Sequence, residues 1–125
     1  MRAVDDSKPI FIRLAEQIEE HILDGTYLEE SQVPSTNEFS AFMRINPATA
    51  GKALNRLVDA GILYKRRGIG MFVSTGARAE LTAQRRESFG AQYVAPLLHE
   101  AARLGIDTDE LITMIGQRAV VAGQA

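Results

Sequence analysis

Asn46 and Pro47 form the local signal that most constrains how this chain folds. Asparagine is a preferred cap at the start of a helix, and proline at the first helical position has its φ already set and lacks an N–H that would stay unpaired there. A helix must therefore begin at this point, and it is predicted to stop at Gly61. Its buried positions, at three- and four-residue spacing, are predicted to be Ala50, Ala53, Leu54, Leu57 and Val58.

Two helical patterns precede this helix. The first opens at Pro9, carries apolar residues at helical spacing as far as Ile22, and ends at Gly25. In the second, Ser35 and Glu38 match a capping box, in which the serine oxygen accepts a backbone N–H and the glutamate reaches back to the serine. This short second helix is expected to bury Phe39 and Phe42, with Met43 as a further candidate.

A small β-hairpin is predicted after the third helix. Ile62 to Tyr64 and Met71 to Val73 are the expected strands, and the basic run Lys65 to Arg67 with Gly68 and Gly70 is the expected turn. The predicted fold class is mostly α with this hairpin, and the element order is that of a winged helix-turn-helix. The third helix leaves small side chains outward near its start, so it would enter a DNA major groove, about 12 Å wide, without steric conflict.

Charge is distributed unevenly along the chain. The 125 residues carry a net charge of -2, which alone argues against general nucleic-acid binding. Residues 1–30 carry a net charge of -5, whereas residues 40–73 carry six basic residues against Asp59 alone. The middle of the chain is therefore either a binding surface for an anionic partner or a solvated basic face.

The motifs along Pro9–Val73 resemble those of the GntR superfamily of bacterial transcriptional regulators, and within it the YtrA-like branch. The resemblance rests on the opening Pro-Ile-aromatic motif, the Ile-x-x-Gly before the loop, the entry to the second helix, the Asn-Pro-x-Thr start of the third helix, and the wing. In this chain these motifs are Pro9, Ile10 and Phe11; Ile22 and Gly25; Val33, Pro34, Ser35, Thr36, Asn37, Glu38 and Phe39; Asn46, Pro47, Ala48 and Thr49; and Leu57, Gly61, Ile62, Arg67, Gly68, Gly70, Phe72 and Val73.

The resemblance implies a sequence-specific DNA-binding regulator, a dimeric repressor at a palindromic operator. Asn37 stands where the family usually has a DNA-contacting arginine, Ile69 stands at the basic position between the wing glycines, and Gly51 replaces a longer side chain. Binding is therefore expected to depend more on Lys52, Arg44 and the basic run. The residues expected to contact double-stranded DNA are Ser35, Thr36, Asn37, Arg44, Asn46, Pro47, Ala48, Thr49, Lys52, Lys65, Arg66, Arg67, Gly68, Ile69 and Gly70.

The remaining residues are predicted to form a helical tail, with residues 1–75 as the winged domain and residues 76–125 as a dimerisation segment. Pro96 should kink or divide the tail helix, and Asp107 with Glu110 should cap a final short helix. The apolar stripe either packs on the winged domain or forms a homodimer, and the resemblance also implies a dimer. Its residues are Leu81, Phe89, Tyr93, Leu97, Ala101 and Leu104, followed by Leu111 and Ile115.

Nothing in the sequence favours an enzyme. Cysteine is absent, His21 and His99 lack a partner at metal-ligand spacing, and the acidic residues around Asp107 are explained by helix capping. No catalytic residue, metal or cofactor is therefore expected. The sequence lacks an apolar run of about 18 residues and an evident signal peptide, so a cytoplasmic protein without a membrane segment is expected.

Two questions about partners stay open at this point. The tail is too short for a separate ligand-sensing domain, so a small-molecule effector, which the sequence does not identify, would need a small pocket or one between subunits. The alternative function is a winged helix that binds another protein without specific DNA binding. Overall acidity and the neutral Asn37 favour that alternative, and the basic segment favours DNA.

Overall fold

The computed structural model describes residues 7–123. Its contacts divide the chain into two compact units, residues 1–83 and 84–125. Residues 1–6 and 124–125, the ends of the two predicted domains, lie outside the described residues. The first unit contains three helices, α1 (Ile10–Leu23), α2 (Thr36–Met43) and α3 (Pro47–Asp59), then strands β1 (Leu63–Arg66) and β2 (Gly70–Val73), and the start of α4 (Ala77–Phe89). The predicted element order of a winged helix-turn-helix is confirmed.

Local hydrogen bonds start α2 and α3 where the sequence predicts. The Glu38 N–H donates to Ser35 Oγ at 3.1 Å, and the Ser35 N–H donates to Glu38 Oε1 at 2.9 Å, so the capping box is complete. At α3, the Ala48 N–H donates to Asn46 Oδ1 at 2.8 Å, with Pro47 as the first helical residue. Both helix starts are therefore specified by residues within three positions of one another.

The prediction that Phe42 is buried is wrong. Phe42 is 84% exposed and Met43 is 42% exposed, whereas Phe39 is buried. Helix α2 has only eight residues, and the chain leaves it at Arg44 in the left-handed conformation, with φ of 55°. So short a helix buries one residue, Phe39, against the core, and Phe42 is left in solvent.

The hairpin is antiparallel, and its first strand begins at Leu63 rather than Ile62 and continues past Tyr64 to Arg66. Leu63 pairs with Val73, and the pairing continues as far as Arg66 opposite Gly70. Lys65 and Arg66 therefore lie in β1, and the turn consists of Arg67, Gly68 and Ile69 alone. Lys65 and Arg66 lie in the strand rather than in the turn because strand pairing is made by backbone hydrogen bonds, which a basic side chain does not prevent. The segment before α2 adds to this sheet, since the Val33 N–H donates to the Met71 carbonyl at 3.0 Å.

The core of the first unit extends into the start of α4. Ala77 and Leu81, four residues apart on one helix face, are each 2% exposed and belong to the core cluster with Ile18, Leu54 and Ile62. Leu81 was expected in the dimerisation stripe, and the structure places it in the core of the first unit instead. Helical spacing aligned Leu81 with the stripe, but tertiary packing decides which apolar residues are covered. The functional division of the chain at residue 75 stays a prediction.

The second unit contains the end of α4, a π-helical turn (Gly90–Val94), α5 (Ala95–Arg103) and α6 (Thr108–Gly123). Pro96 lies at the start of α5, immediately after the π-helical turn. Because proline has no N–H to donate and its ring crowds the preceding turn, the regular α-helical pattern is interrupted there, as predicted. The Glu110 N–H donates to Asp107 Oδ1 at 2.8 Å, which confirms the cap, but α6 is 16 residues long rather than short.

Candidate nucleic-acid interface

The turn between α2 and α3 is fixed by backbone and side-chain hydrogen bonds. The Ser40 hydroxyl donates to the Ile45 carbonyl at 2.6 Å, and the Ile45 N–H donates to the Ser40 carbonyl at 3.1 Å. Ile45 itself packs against the core. The turn residue Arg44 is exposed, so its charge is presented to solvent beside the start of α3. These bonds hold the two helices of the helix-turn-helix in one arrangement.

Helix α3 has one buried side and one exposed side. Ala50, Ala53 and Leu54 are fully buried, and Leu57 is 2% exposed. At 100° per residue, the opposite side carries the exposed residues that we call the recognition face: Ala48, Lys52, Asn55 and Arg56. Thr49 is half-buried at its edge. The predicted outward face is thus found, with small side chains in its first turn and cations further along.

Gly51 lies where α3 approaches α2. A Cβ built on Gly51 would contact the Thr36 methyl group at 3.7 Å, an ordinary van der Waals distance. The glycine is therefore not required by packing. Thr36 is half-buried, Asn37 is exposed, and both lie in the first turn of α2, next to the first turns of α3. The surface at this position is therefore neutral, with Gly51 and Asn37 in place of longer or charged side chains.

Lys52 has a partner that the sequence pattern did not indicate. Its ammonium Nζ lies 4.2 Å from the centre of the Phe11 ring, at the start of α1. A cation over the face of an aromatic ring is attracted by the ring quadrupole, by about 0.5–1 kcal/mol at exposed sites. Phe11 is half-buried against the core and so gives the lysine a fixed neighbour. The aromatic residue of the opening Pro-Ile-aromatic motif was the available signal, although nothing local linked it to α3.

The three cations of the predicted basic turn do not share one face. Lys65 and Arg66 are adjacent in β1, and successive side chains of a strand point to opposite faces. The Arg66 guanidinium lies 5.1 Å from the centre of the Phe72 ring, which also stacks against Tyr64 at 5.8 Å. Arg66 is therefore attached to the outer face of the hairpin, whereas Lys65 is on the other face and Arg67 is in the turn.

We call Arg67, Gly68 and Ile69 the wing tip. Gly68 has a φ of +75°, the left-handed conformation that the turn requires and that other residues rarely adopt. Ile69 is 57% exposed, so the apolar side chain between the wing glycines faces solvent as expected. The Gln32 side chain donates from Nε2 to the Ile69 carbonyl at 3.0 Å. This contact with the wing tip was not predicted from the sequence.

Two adjacent glutamates join the loop after α1 to the residues at the start of α4. Glu30 accepts hydrogen bonds from the Thr75 and Tyr64 hydroxyls, and these bonds, in that order of effect, hold the pKa of Glu30 below its ordinary value of 4.5. The same hydrogen bond with Glu30 raises the pKa of Tyr64 above its ordinary value of 10.0. Glu29 accepts from the Gly76 N–H at 2.9 Å and caps α4. The loop that carries Glu29 and Glu30, which we call the acidic loop, therefore joins β1 and the start of α4.

The predicted dimerisation residues separate into an exposed and a buried group. Ala101 and Leu111 are 5% and 6% exposed, and Leu81 lies in the core of the first unit. The others are large apolar residues left open to solvent in the single chain: Phe89, Tyr93, Leu97, Leu104 and Ile115. The rings of Phe89 and Tyr93 lie 5.3 Å apart. Exposed large apolar residues in such number are typical of a protein–protein interface.

Residues 7–123 contain no group of three or more histidine, cysteine, aspartate or glutamate residues placed to hold a metal ion. His21 instead lies 3.5 Å from Asp24 through Nδ1 and Oδ2, at the end of α1. Within the same residues, every helix is too short or too polar to cross a membrane.

The first unit is a winged helix-turn-helix module with an exposed recognition helix and a basic hairpin, which is the fold of DNA-binding transcriptional regulators. The sequence profile of the bacterial regulatory proteins of the gntR family matches residues 12–73. The chain belongs to this family.

Comparison with individual proteins supports the same family assignment. The repressor YtrA of Bacillus subtilis is 28% identical over 105 residues, which cover 84% of this chain and 80% of YtrA, and supports the YtrA-like branch. A GntR-family transcriptional regulator from Bacteroides thetaiotaomicron is 29% identical, and its crystal structure matches 94% of this chain and 100% of its own, with a TM-score of 0.76. The DNA-binding domain of AraR, solved in complex with its operator ORR3, is 28% identical with a TM-score of 0.53, over 59% of this chain and 89% of its own.

Proposed function

We propose that this protein is a cytoplasmic, dimeric repressor that binds a palindromic operator in double-stranded DNA through α3 and the wing. The observation that carries the proposal is the recognition face of α3, whose first residues Ala48 and Lys52 are exposed and directly follow the exposed Asn46 and Pro47. Small side chains at the start of a recognition helix allow its backbone to approach the base edges, and a cation one turn later meets a guanine edge or a phosphate.

Phosphate contacts would position the helix. The first turn of α2 has backbone N–H groups, those of Thr36 and Asn37, without partners inside the helix, and such groups bind phosphate oxygens. At α3 the Ala48 N–H already donates to the Asn46 side chain, so the short side chains rather than the backbone would make that contact. Ser35, Thr36, Asn37 and Thr49 add short polar side chains there, and Arg44 adds a charge at the turn between the two helices. In this arrangement the backbone contacts set the register, while the few side chains of α3 read sequence.

The wing would add a second backbone contact. Arg67 and Lys65 are the cations of the hairpin free of the Phe72 stack that retains Arg66, so we assign the wing's phosphate contact to these two residues. Ile69, with Gly68 and Gly70 on either side, offers shape and apolar contact but no charge. The wing of this protein therefore contributes less electrostatic affinity than a wing with a basic tip.

The second unit would make the dimer. A two-fold pair of subunits places two recognition helices about 34 Å apart, or a multiple of that spacing, and matches a palindromic operator. The exposed apolar residues of α4, α5 and α6, among them Phe89, Leu97 and Ile115, supply a surface for that contact. A small-molecule effector, if one regulates the repressor, would bind in a small pocket or between the subunits.

The test is a fluorescence anisotropy titration of the full chain against labelled duplex DNA from upstream of its own gene. A scrambled duplex of equal composition measures non-specific binding, and the titration is repeated across salt concentrations. We expect the natural duplex to bind at least about a thousandfold more tightly than the scrambled one, and log Kd to depend linearly on log salt. Equal affinity for both duplexes at every salt concentration would exclude a sequence-specific regulator of that site.

A matched pair of charge variants makes the same experiment sharper. Arg67→Gln removes a cation from the wing tip, and Arg118→Gln removes a cation from α6 in the second unit. Both variants change the net charge equally. Only Arg67→Gln should weaken binding and reduce the salt slope, by about 0.9 for each phosphate that the wing no longer neutralises. If Arg118→Gln had the same effect, binding would depend on net charge rather than on the wing.

A further inference from the structure

Gln32 lies outside the hairpin and reaches its turn. It follows the acidic loop and stands just before Val33, where its backbone forms a bridge with Phe72 of β2. Its side chain is exposed to solvent, yet its amide Nε2 donates to the Ile69 carbonyl at 3.0 Å. The two residues are 37 positions apart in the sequence. The wing tip is thereby attached to the segment that leads directly into α2.

Gly70 makes room for this contact. Its φ is +149°, and a Cβ at this position would lie 2.4 Å from Gln32 Nε2 and 3.3 Å from Gln32 Cδ. The glutamine amide therefore occupies the space that a side chain at position 70 would need. Gly70 has two roles in the wing: it adopts a backbone conformation that other residues rarely reach, and it admits the amide of Gln32.

The other bonds at the wing tip are internal to the hairpin. The Ile69 N–H donates to the Arg66 carbonyl at 2.9 Å, and Arg66 pairs with Gly70. The base of the hairpin is fixed to the segment before α2 by the bond from the Val33 N–H to the Met71 carbonyl, whereas the bonds at the tip hold the turn together without fixing its position relative to the helices. Gln32 supplies that second constraint, because Pro34 and Ser35 connect it within three residues to the first turn of α2.

We propose that Gln32 is a positioning residue for DNA binding: it holds the wing tip at a fixed place relative to α2 and α3, so that Arg67 meets the DNA backbone while α3 lies in the groove. The proposal rests on the proposed function for the identity of the ligand. Preorganising a binding loop increases affinity because less conformational entropy is lost on binding. Gln32 itself touches the protein backbone, and its effect on affinity passes through the wing.

The first experiment needs no DNA. Gln32→Leu keeps a side chain of similar size but removes the donor, and Gln17→Leu, at an exposed position of α1, is the matched control. Backbone amide hydrogen exchange of the full chain is measured for residues 67–70 in both variants and in the wild type. We expect faster exchange at the wing tip in Gln32→Leu alone, with exchange in α3 unchanged. Unchanged exchange at the wing tip would overturn the proposal.

The second experiment separates positioning from general stability. We expect Gln32→Leu to weaken binding to the natural duplex about 3- to 10-fold, and Gln17→Leu to leave it unchanged. In the Arg67→Ala background, Gln32→Leu should have little further effect, because the contact that Gln32 positions is already missing. Additive effects in the double variant would overturn the proposal, since they would mean that Gln32 acts independently of the wing.

The two experiments also distinguish this proposal from the proposed function. If the wild type binds no DNA, the proposed function fails and the role of Gln32 in DNA binding fails with it, whatever the exchange data show. If the wild type binds DNA and the effects of Gln32→Leu and Arg67→Ala on binding are additive, only the positioning role fails. Faster exchange at the wing tip, together with non-additive effects of the two substitutions on binding, supports both the proposed function and the positioning role of Gln32.

Discussion

At the scale of single residues, Lys52 combines exposure with a fixed neighbour. Its ammonium rests over the Phe11 ring at 4.2 Å, so in the free protein the charge is held at the side of α3 that faces the start of α1. A flexible lysine loses rotamer entropy when it binds, and a lysine already held by an aromatic ring loses less. The lysine is therefore prepared for a contact close to its present position.

We expect Lys52→Ala to weaken binding to the natural duplex by about 1–3 kcal/mol if Lys52 reads a base edge. The measurement is the Kd of the variant for natural and scrambled duplexes at one salt concentration. Equal weakening on both duplexes would make Lys52 a backbone contact instead. Unchanged binding of Lys52→Ala to either duplex would mean that the recognition face is wrongly assigned.

Ile69 is the residue of the wing at which a single change should increase binding. The side chain is 57% exposed, so Ile69→Arg should cost the fold little and should add one cation at the wing tip. Each phosphate neutralised steepens the slope of log affinity against log salt by about 0.9, so a dimer should gain about 1.8. Ile69→Gln, polar but uncharged, is the control. The same slope in all three proteins would show that the wing tip does not lie against phosphates.

At the scale of elements, the sequence predicts those structural features that depend only on residues close together in the chain. The caps at Ser35 and Asn46 depend on hydrogen bonds that span two or three residues, and the structure has both. The buried side of α3 follows from helical spacing and is confirmed for Ala50, Ala53, Leu54 and Leu57, whereas Val58 is only partly buried. In each case the same few residues carry the signal and form the structure, so a single sequence suffices.

Features that depend on distant residues were not predicted. Leu81 matches the tail stripe by spacing but is buried by the helices of the first unit, and no local pattern distinguishes the two outcomes. The basic run reads as one charged turn, whereas strand pairing separates Lys65 from Arg66. The contacts of Lys52 with Phe11 and of Gln32 with Ile69 join residues about 40 positions apart, which only the folded chain brings together.

The junction of the acidic loop with β1 and α4 should make stability depend on pH. Hydrogen bonds from Thr75 and Tyr64 keep the pKa of Glu30 below 4.5, so the folded state favours the carboxylate. A lowered pKa gives a stabilising contribution that is present above the ordinary pKa and is lost as pH falls through the lower folded value. Glu30→Gln should therefore be less stable than the wild type at neutral pH, and the difference should shrink on acidification.

Urea denaturation of both proteins at neutral pH and at about pH 3 measures that difference. Glu87→Gln, at an exposed position of α4 in the second unit, is the control for loss of a surface carboxylate. It should show no comparable difference at neutral pH. A gap between wild type and Glu30→Gln that stayed constant with pH would mean that the carboxylate form of Glu30 does not stabilise the fold.

At the scale of the whole molecule, the two compact units suggest where the chain can be cut. A chain that ended after Ser74 would lack Ala77 and Leu81, each 2% exposed in the core of the first unit. Removing a buried leucine side chain typically costs about 2–5 kcal/mol, a large part of the stability of a small domain. The division that respects the core falls between Ala83 and Gln84.

We expect a chain that ends at Ala83 to fold as a monomer, one that ends at Ser74 to be much less stable, and the full chain to sediment as a dimer. The reason is that residues 84–125 hold the exposed apolar residues of α4, α5 and α6, whereas Ala77 and Leu81 belong to the core of the winged fold. Sedimentation at about tens of micromolar and thermal unfolding of the three chains measure these outcomes. The variant Leu81→Ala in the chain that ends at Ala83 tests the core separately.

DNA binding completes this prediction. A monomer has one recognition helix, so the chain that ends at Ala83 should bind the natural duplex more weakly than the full chain, and its salt slope should be about half as steep. Leu104→Glu places a charge at a residue that is 67% exposed in the single chain, and it should make the full-length chain monomeric. The control Glu87→Gln should stay dimeric. If the full chain sediments as a monomer, the second unit does not join two copies. The exposed apolar surface of α4 to α6 would then belong to a contact with a different protein.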